Sequence, residues 1–279
     1  LKKTTLQASV KIWLRGDFVS ALLHTMRLFH VSNNFQNRDI YMATNYVPLD
    51  KEKHSKLKVI PRVNFDLISK THLAAATIRE YAQLSGCMPL VFIEDPKSKN
   101  IHSVAMLGLE QGQNLFYADE KWQGPHVPLN IQRYPFDIRP DGERLGLYID
   151  ENSSLIADEG QPLFTDQGEV SDFLKNRQQF LTDLANSEVQ NQRFIKQLQE
   201  LELLEEIQIG ITYTSGQARN VTGILSIDEK KLLALDDDKV IALHKAGFLG
   251  AAYSTMLSLG QLNRLVELSN KTENPIQSV

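Results

Sequence analysis

From Leu90 to Asp150 the apolar runs of this chain follow one another across short, turn-rich segments, and that spacing constrains the fold more than any other feature. The runs are PLVFIE (89–94), SVAMLGLE (103–110), NLFYA (114–118), RYPFDI (133–138) and RLGLYID (144–150). Between them lie DPKSKN, EQGQN, ADEKWQGP and RPDGE, whose Gly, Pro, Asp and Asn residues set turn geometry. A parallel crossover needs about a dozen residues or more, so short connections of this kind favour antiparallel pairing. Pro135 confines its run to an edge strand or a bulge, because it cannot donate to a ladder. Alternation past Pro135 sends Tyr134 and Phe136 toward apolar neighbours and Arg133 to the opposite face, within reach of Asp150 or Glu151. Trp122, at a turn, is expected to cover one end of the sheet.

Near Asp166 the period changes. DQGEVSDFLKNRQQFLTDLAN sets Val170, Phe173, Leu174, Leu181 and Leu184 on one helical stripe. Asp166 with Glu169 and Ser187 with Gln190 resemble capping boxes, predicting two helices at 169–185 and 188–204. EIQIGITYT then alternates strictly, and SGQ turns it into RNVTGILSI, a hairpin over 206–227. The remaining sequence reads as short helices capped by Asp228 and Asp236 and interrupted at Gly247 and Gly260. A further short helix is expected at 74–84, rich in good helix formers. The fold class is therefore α+β: an antiparallel β-meander over 42–165 packed with a mostly helical part over 166–268 that contains one hairpin, then a frayed tail over 269–279.

Residues 1–41 carry six Lys/Arg and two Asp, whereas the whole chain has a net charge of −4. Two readings of this basic stretch compete: an amphipathic anchor, or an extension outside the functional domain. The second is favoured, since an acidic globular composition begins at Met42, and any helix near Phe18–His30 is expected to stand apart. Arg15 and Asp17 interrupt the apolar character of this region and no clean small-residue cleavage site follows, which argues against a secretory signal. No stretch approaches the roughly 20 apolar residues that span a bilayer. The acidic balance argues against a nucleic-acid partner, which usually meets a basic face. The single cysteine, Cys87, excludes an internal disulfide framework and fits a reducing compartment or an indifferent one; without a span or a clear signal peptide, a cytoplasmic protein is expected. Cys87 reads as a small buried residue rather than a nucleophile.

Recognised catalytic spacings are missing. The chain has no His-Glu-x-x-His, no Walker A loop, no Gly-x-Gly-x-x-Gly and no Gly-x-Ser-x-Gly. The stretch from Asp150 begins like a calcium loop with Asn152 and Ser154, but Leu155 stands where the turn needs Gly and Gln161 where a bidentate Glu belongs. Ser55 and Lys58 form a loose Ser-x-x-Lys pair without its companion motifs. Asp236, Asp237 and Asp238 suit a helix start better than a metal. No cofactor and no metal is expected. Polar groups that could converge in a cleft are His54, read as a solvated loop residue, His72, beside a helix N-terminus, and His126, Arg133 and Asp150.

VPLDKEKHSKLKV (47–59), THL (71–73), RYPF (133–136), LYIDENS (147–153), GQPLF (160–164) and LDDDKVIALHKAGFLGAAYSTMLSLGQLNRLVEL (235–268) occur in this order. As an ordered set they resemble the bacterial SapC family, whereas LAAATIREYAQLSGCM matches it poorly. The family takes its name from surface-layer loci, and its members look like companions of outer-membrane uptake receptors and of oxygenase or halogenase genes. The resemblance implies an accessory protein with a protein partner in such a system and transfers no catalytic residues. The alternative is a small-molecule or peptide-modifying enzyme using His72, His126, Arg133 and Asp150.

Overall fold

The apolar runs do contribute antiparallel strands, but these divide among three sheets in a way their order along the chain does not show. A computed structural model describes residues 11–12, 44–141 and 144–279. The helix expected near Phe18–His30 lies outside these residues. In chain order the strands are β1 (Lys11–Ile12), β2 (Tyr46–Pro48), β3 (Lys58–Val59), β4 (Leu73–Ala75), β5 (Leu90–Glu94), β6 (Ile101–Met106) and β7 (Tyr117–Ala118). They continue as β8 (Lys121–Trp122), β9 (Phe136–Asp141), β10 (Arg144–Asp150), β11 (Gln161–Pro162), β12 (Leu204–Tyr213), β13 (Ala218–Ile227) and β14 (Ile276–Ser278). The helices are α1 (Tyr81–Leu84), α2 (Leu129–Gln132), α3 (Asp172–Glu200), α4 (Glu229–Leu233), α5 (Asp237–Lys245), α6 (Phe248–Ser258) and α7 (Leu262–Ser269). Every pairing among the described strands is antiparallel, and the class is α+β.

The described residues form two units: those up to Asn64 with Gln132–Val189, and Phe65–Ile131 with Gln190–Val279. In the first unit β10 pairs with β9 on one side and with β1 and β2 on the other, setting Ile149 opposite both Phe136 and Val47. The period of two sends Leu145, Leu147 and Ile149 to one face, where Phe136, Ile138, Leu49, Leu155 and Phe164 complete a core. Leu174, Leu181, Ala185 and Val189 of α3 join it at helical spacing. Gly160, immediately before β11, lets the β3 and β11 backbones approach: a Cβ there would meet the Val59 backbone at 2.5 Å.

In the second unit the strand order is β14-β12-β13-β5-β6-β4. Phe194 of α3, fully buried, meets Phe248, Tyr81 and Phe92 at ring distances of 5.4, 6.1 and 6.3 Å. Asn191, one turn earlier, accepts the Tyr81 hydroxyl at 2.9 Å and donates to Ser103 at 2.9 Å, so its buried amide is satisfied. Trp122 stacks between Phe65 and Phe116, at 5.5 and 5.4 Å. Its short ribbon turns at Asp119 and Glu120, both at positive φ, as a tight hairpin requires.

Four local expectations are corrected. First, the helix over 74–84 is reduced to α1 behind a single 3-10 turn. Ala74 and Ala75 are recruited as β4, and the Glu80 side chain starts the turn by accepting the Thr77 amide at 3.2 Å. Second, β9 begins only after the cis Tyr134–Pro135 bond; the strand itself pairs with β10 alone among the described strands, as an edge. Third, the tail does not fray: Ile276 is buried, β14 pairs with β12, and the Ile276 amide donates to Ser269 Oγ at 2.8 Å.

Fourth, the two helices over 169–185 and 188–204 are one. Its N-terminus is capped by Ser171, whose Oγ accepts the Leu174 amide at 3.1 Å and donates to the Pro162 carbonyl at 2.6 Å. Asp166 and Glu169 lie in the preceding turn. Nothing between Asn186 and Gln190 breaks a helix, and Val189, Phe194 and Leu198 continue the buried positions. Ser187 is thus mid-helix, buried, with its hydroxyl unsatisfied. Ser187→Ala is expected to raise stability by about 0.5–1 kcal/mol, from better helix propensity and removal of a stranded hydroxyl. Chemical denaturation checks this, and a loss of about 1 kcal/mol would instead mark a lost cap.

Candidate functional site

The face of the β2–β10–β9 sheet turned away from the apolar core collects a polar and aromatic cluster, because alternate residues share a face. Tyr46 lies opposite Asp150 and Tyr148 opposite Asp137 in the ladder, and Arg139 follows Asp137 by two. Asp137 is buried and ligated by two guanidinium groups, Arg139 Nε at 2.9 Å and Arg133 Nη1 at 3.3 Å, while it also accepts the Ile138 amide at 3.0 Å. The Arg139 guanidinium lies 4.1 Å from the Tyr46 ring centroid and 5.6 Å from that of Tyr148. Arg133, in the turn before β9, therefore reaches Asp137 on that strand, not Asp150 or Glu151. The nearer carboxylate wins because the chain turns tightly at Arg133, whose carbonyl accepts the Phe136 amide at 3.0 Å.

Asp150 is also buried, and its partners are turn groups: the amides of Asn45 and Asn152 at 2.8 and 3.1 Å and the Tyr134 hydroxyl at 2.9 Å. Burial, with the Asp150 carboxylate beside it, pushes the Tyr134 hydroxyl up to about 12 against the opposing hydrogen bond from Ser153. Burial and the nearby Asp137 charge raise Tyr46 further still. Both phenols stay protonated at neutral pH. His54, expected in solvent, is 1 % exposed. The Asp50 amide donates to its Nδ1 at 2.8 Å, which leaves Nε2 to donate to Glu151 at 3.0 Å. Lys53 contacts the same carboxylate at 2.6 Å, and its hydrogen bond, with that of His54, holds Glu151 below the usual carboxylate range.

In the second unit His126 Nε2 contacts the buried Glu80 at 3.1 Å. Glu80 also accepts the Leu129 amide at 2.8 Å and the Thr77 amide at 3.2 Å. His72 sits at no helix N-terminus; it precedes β4, and its carbonyl accepts the Leu107 and Gly108 amides. Burial lowers its pKa, so the neutral ring prevails near neutral pH. Hence His126 pairs with Glu80, Arg133 with Asp137, and Asp150 with Tyr134: the hydrogen bonds serve separate clusters. Cys87 is buried, and that burial pushes its thiol up, which favours the unreactive form. Ser55 and Lys58 bond separate carbonyls, those of Glu52 and Asp158. Among the described residues no group of three or more His, Cys, Asp or Glu side chains is arranged to hold a metal ion.

The feature missed in the sequence lies on the C-terminal helices. Four of the large apolar side chains exposed among the described residues fall within one short stretch: Leu233 (68 %), Ile241 (48 %), Tyr253 (41 %) and Leu257 (74 %). On α6 the buried Phe248, Ala251, Ala252, Thr255 and Ser258 face inward, while Gly250, Tyr253, Leu257 and then Gly260 form the outer stripe. A Cβ added at Gly250 or Gly260 would meet nothing within 4 Å, so the stripe is open at both ends. Gly247, at a φ of 76°, turns the chain from α5 into α6, a conformation that L side chains rarely adopt. The signal available in the sequence was a lack of charge: no Asp, Glu, Lys, Arg or His occurs from 246 to 263, although an exposed helix face is ordinarily charged.

A sequence model of one family, SapC, matches residues 49–265, well over half of the chain. No curated protein and no solved structure matches. No helix among the described residues is long and apolar enough to cross a membrane.

Proposed function

We propose that this chain, which belongs to the SapC family, is an accessory protein of a bacterial cell-surface or outer-membrane uptake system. It acts in the cytoplasm by docking onto a protein component of that system, not through a reaction of its own. The observation that carries this reading is the outer stripe of α6, which offers Tyr253 and Leu257 to solvent without a charged residue on the helix. Contiguous exposed apolar surface is unfavourable in water and characterises surfaces that are covered in use. Charged residues return on either side of this stretch in the chain, at Lys245 and at Arg264 and Glu267.

The test places a photo-activatable amino acid at position 257 in growing cells and identifies the adducts by mass spectrometry. Adducts with a cytoplasm-facing component of such a system, or with an outer-membrane receptor or surface-layer protein before its export, are expected. Leu257→Asp should weaken binding of the captured protein by at least roughly tenfold, as for a central apolar contact. Adducts lacking any envelope component, or unchanged binding by Leu257→Asp, would remove the basis for the reading.

A further inference from the structure

Helix α5 carries a second exposed feature that a partner at Tyr253 and Leu257 does not explain. Asp237, Ile241 and Lys245 recur every four residues and so share one stripe of the helix. All three are exposed, Ile241 at 48 %, whereas Leu243 is the buried residue of α5. The stripe is self-complementary. Turned about a two-fold axis beside Ile241, an antiparallel copy would set its Lys245 against Asp237 and its Asp237 against Lys245, with the two Ile241 side chains packed between them. A two-fold interface demands this property, since the same patch must serve both sides.

We infer that α5 pairs antiparallel with α5 of a second copy of this chain, through Asp237, Ile241 and Lys245. Acids in the first turn and a base in the last also complement the helix dipole. That effect accounts for the charges but not for an isoleucine half in water between them. One helix of nine residues buries less than a standard interface. The dimer is accordingly a weak one, in the micromolar range. It goes beyond the docking function proposed above, because it needs no other protein. Two linked copies would present two α6 stripes at once and strengthen attachment to any repeated target.

Sedimentation velocity on the full chain, from low to high micromolar concentration, tests this. The expected result is a monomer–dimer equilibrium that weakens with added salt. Asp237→Lys and Lys245→Asp should each weaken it by roughly tenfold, because either reversal places like charges at both symmetry-related contacts. Combining D237K with K245D restores opposite charges across the axis and should recover dimerisation. Ile241→Glu alters neither end of the helix and should also cost roughly tenfold or more. Circular dichroism confirms that each variant is folded. A wild-type chain that stays monomeric throughout overturns the inference, as do single reversals without effect or a folded double variant that remains monomeric. None of these variants changes Tyr253 or Leu257, so the docking reading stands or falls separately.

Discussion

Asp137→Ala is expected to lower the stability of the protein by about 3–5 kcal/mol, the usual cost of removing one member of a buried charge cluster. Its carboxylate is buried and shared by two guanidinium groups, those of Arg133 and Arg139, which are themselves only partly exposed. Without it two like charges face each other on one sheet face, and the Ile138 amide loses its side-chain acceptor. At roughly 2–4 °C per kcal/mol for a chain of this size, the melting temperature should fall by about 10 °C. Arg133→Ala should cost less, about 1–2 kcal/mol, because Asp137 keeps Arg139 and a backbone donor. Thermal and urea denaturation of both variants measure the difference. Equal losses would mean that the carboxylate does not organise the cluster.

Glu80→Ala is expected to cost about 2–4 kcal/mol by the same physics in a different setting. Its two oxygens accept the Thr77 and Leu129 amides and face His126 Nε2, and cutting the side chain back removes the acceptor of all three. Glu80→Gln should recover part of the loss, since the amide keeps one acceptor oxygen but turns an NH2 group toward a donor. Urea unfolding of the Ala and Gln variants is the check. If the two are equally destabilised, the loss comes from charge rather than from hydrogen bonding.

Both carboxylates were legible only as patterns. Thr77-x-x-Glu80 is the spacing of a capping box, and it sits in a segment whose alanines suggest an ordinary helix instead. Propensity is a weak guide there, because Ala74 and Ala75 are taken into β4 by pairing with β6. Arg133, Asp137 and Arg139 stand close together in RYPFDIR, but alternation alone directed attention from Arg133 to Asp150. The turn at Arg133 brings the nearer acid into reach instead. His54 shows the limit from the other side. Surrounded by lysines in DKEKHSK it looks solvated, yet its ring is enclosed because the Asp50 amide and Glu151 satisfy both nitrogens.

The sequence by itself determined the antiparallel sense of the strands, the hairpin over 206–227, the restriction of the Pro135 run to an edge or bulge and the helix break at Gly247. Each depends on residues within one turn or one strand length, where period, loop length and the allowed φ of Gly or Pro leave few alternatives. Only the tertiary structure decided that β4, β5 and β6 share a sheet with β12 and β13 while β9 and β10 join β2. It likewise decided that α3 runs unbroken and that the last strand is tied to β12. Those outcomes rest on burial against residues far away in the chain, such as Phe194 against Phe92 or Leu181 in the core of β9 and β10. Hydrophobic burial has no preferred direction, so a pattern of apolar residues states that a face will be covered and leaves open which segment covers it.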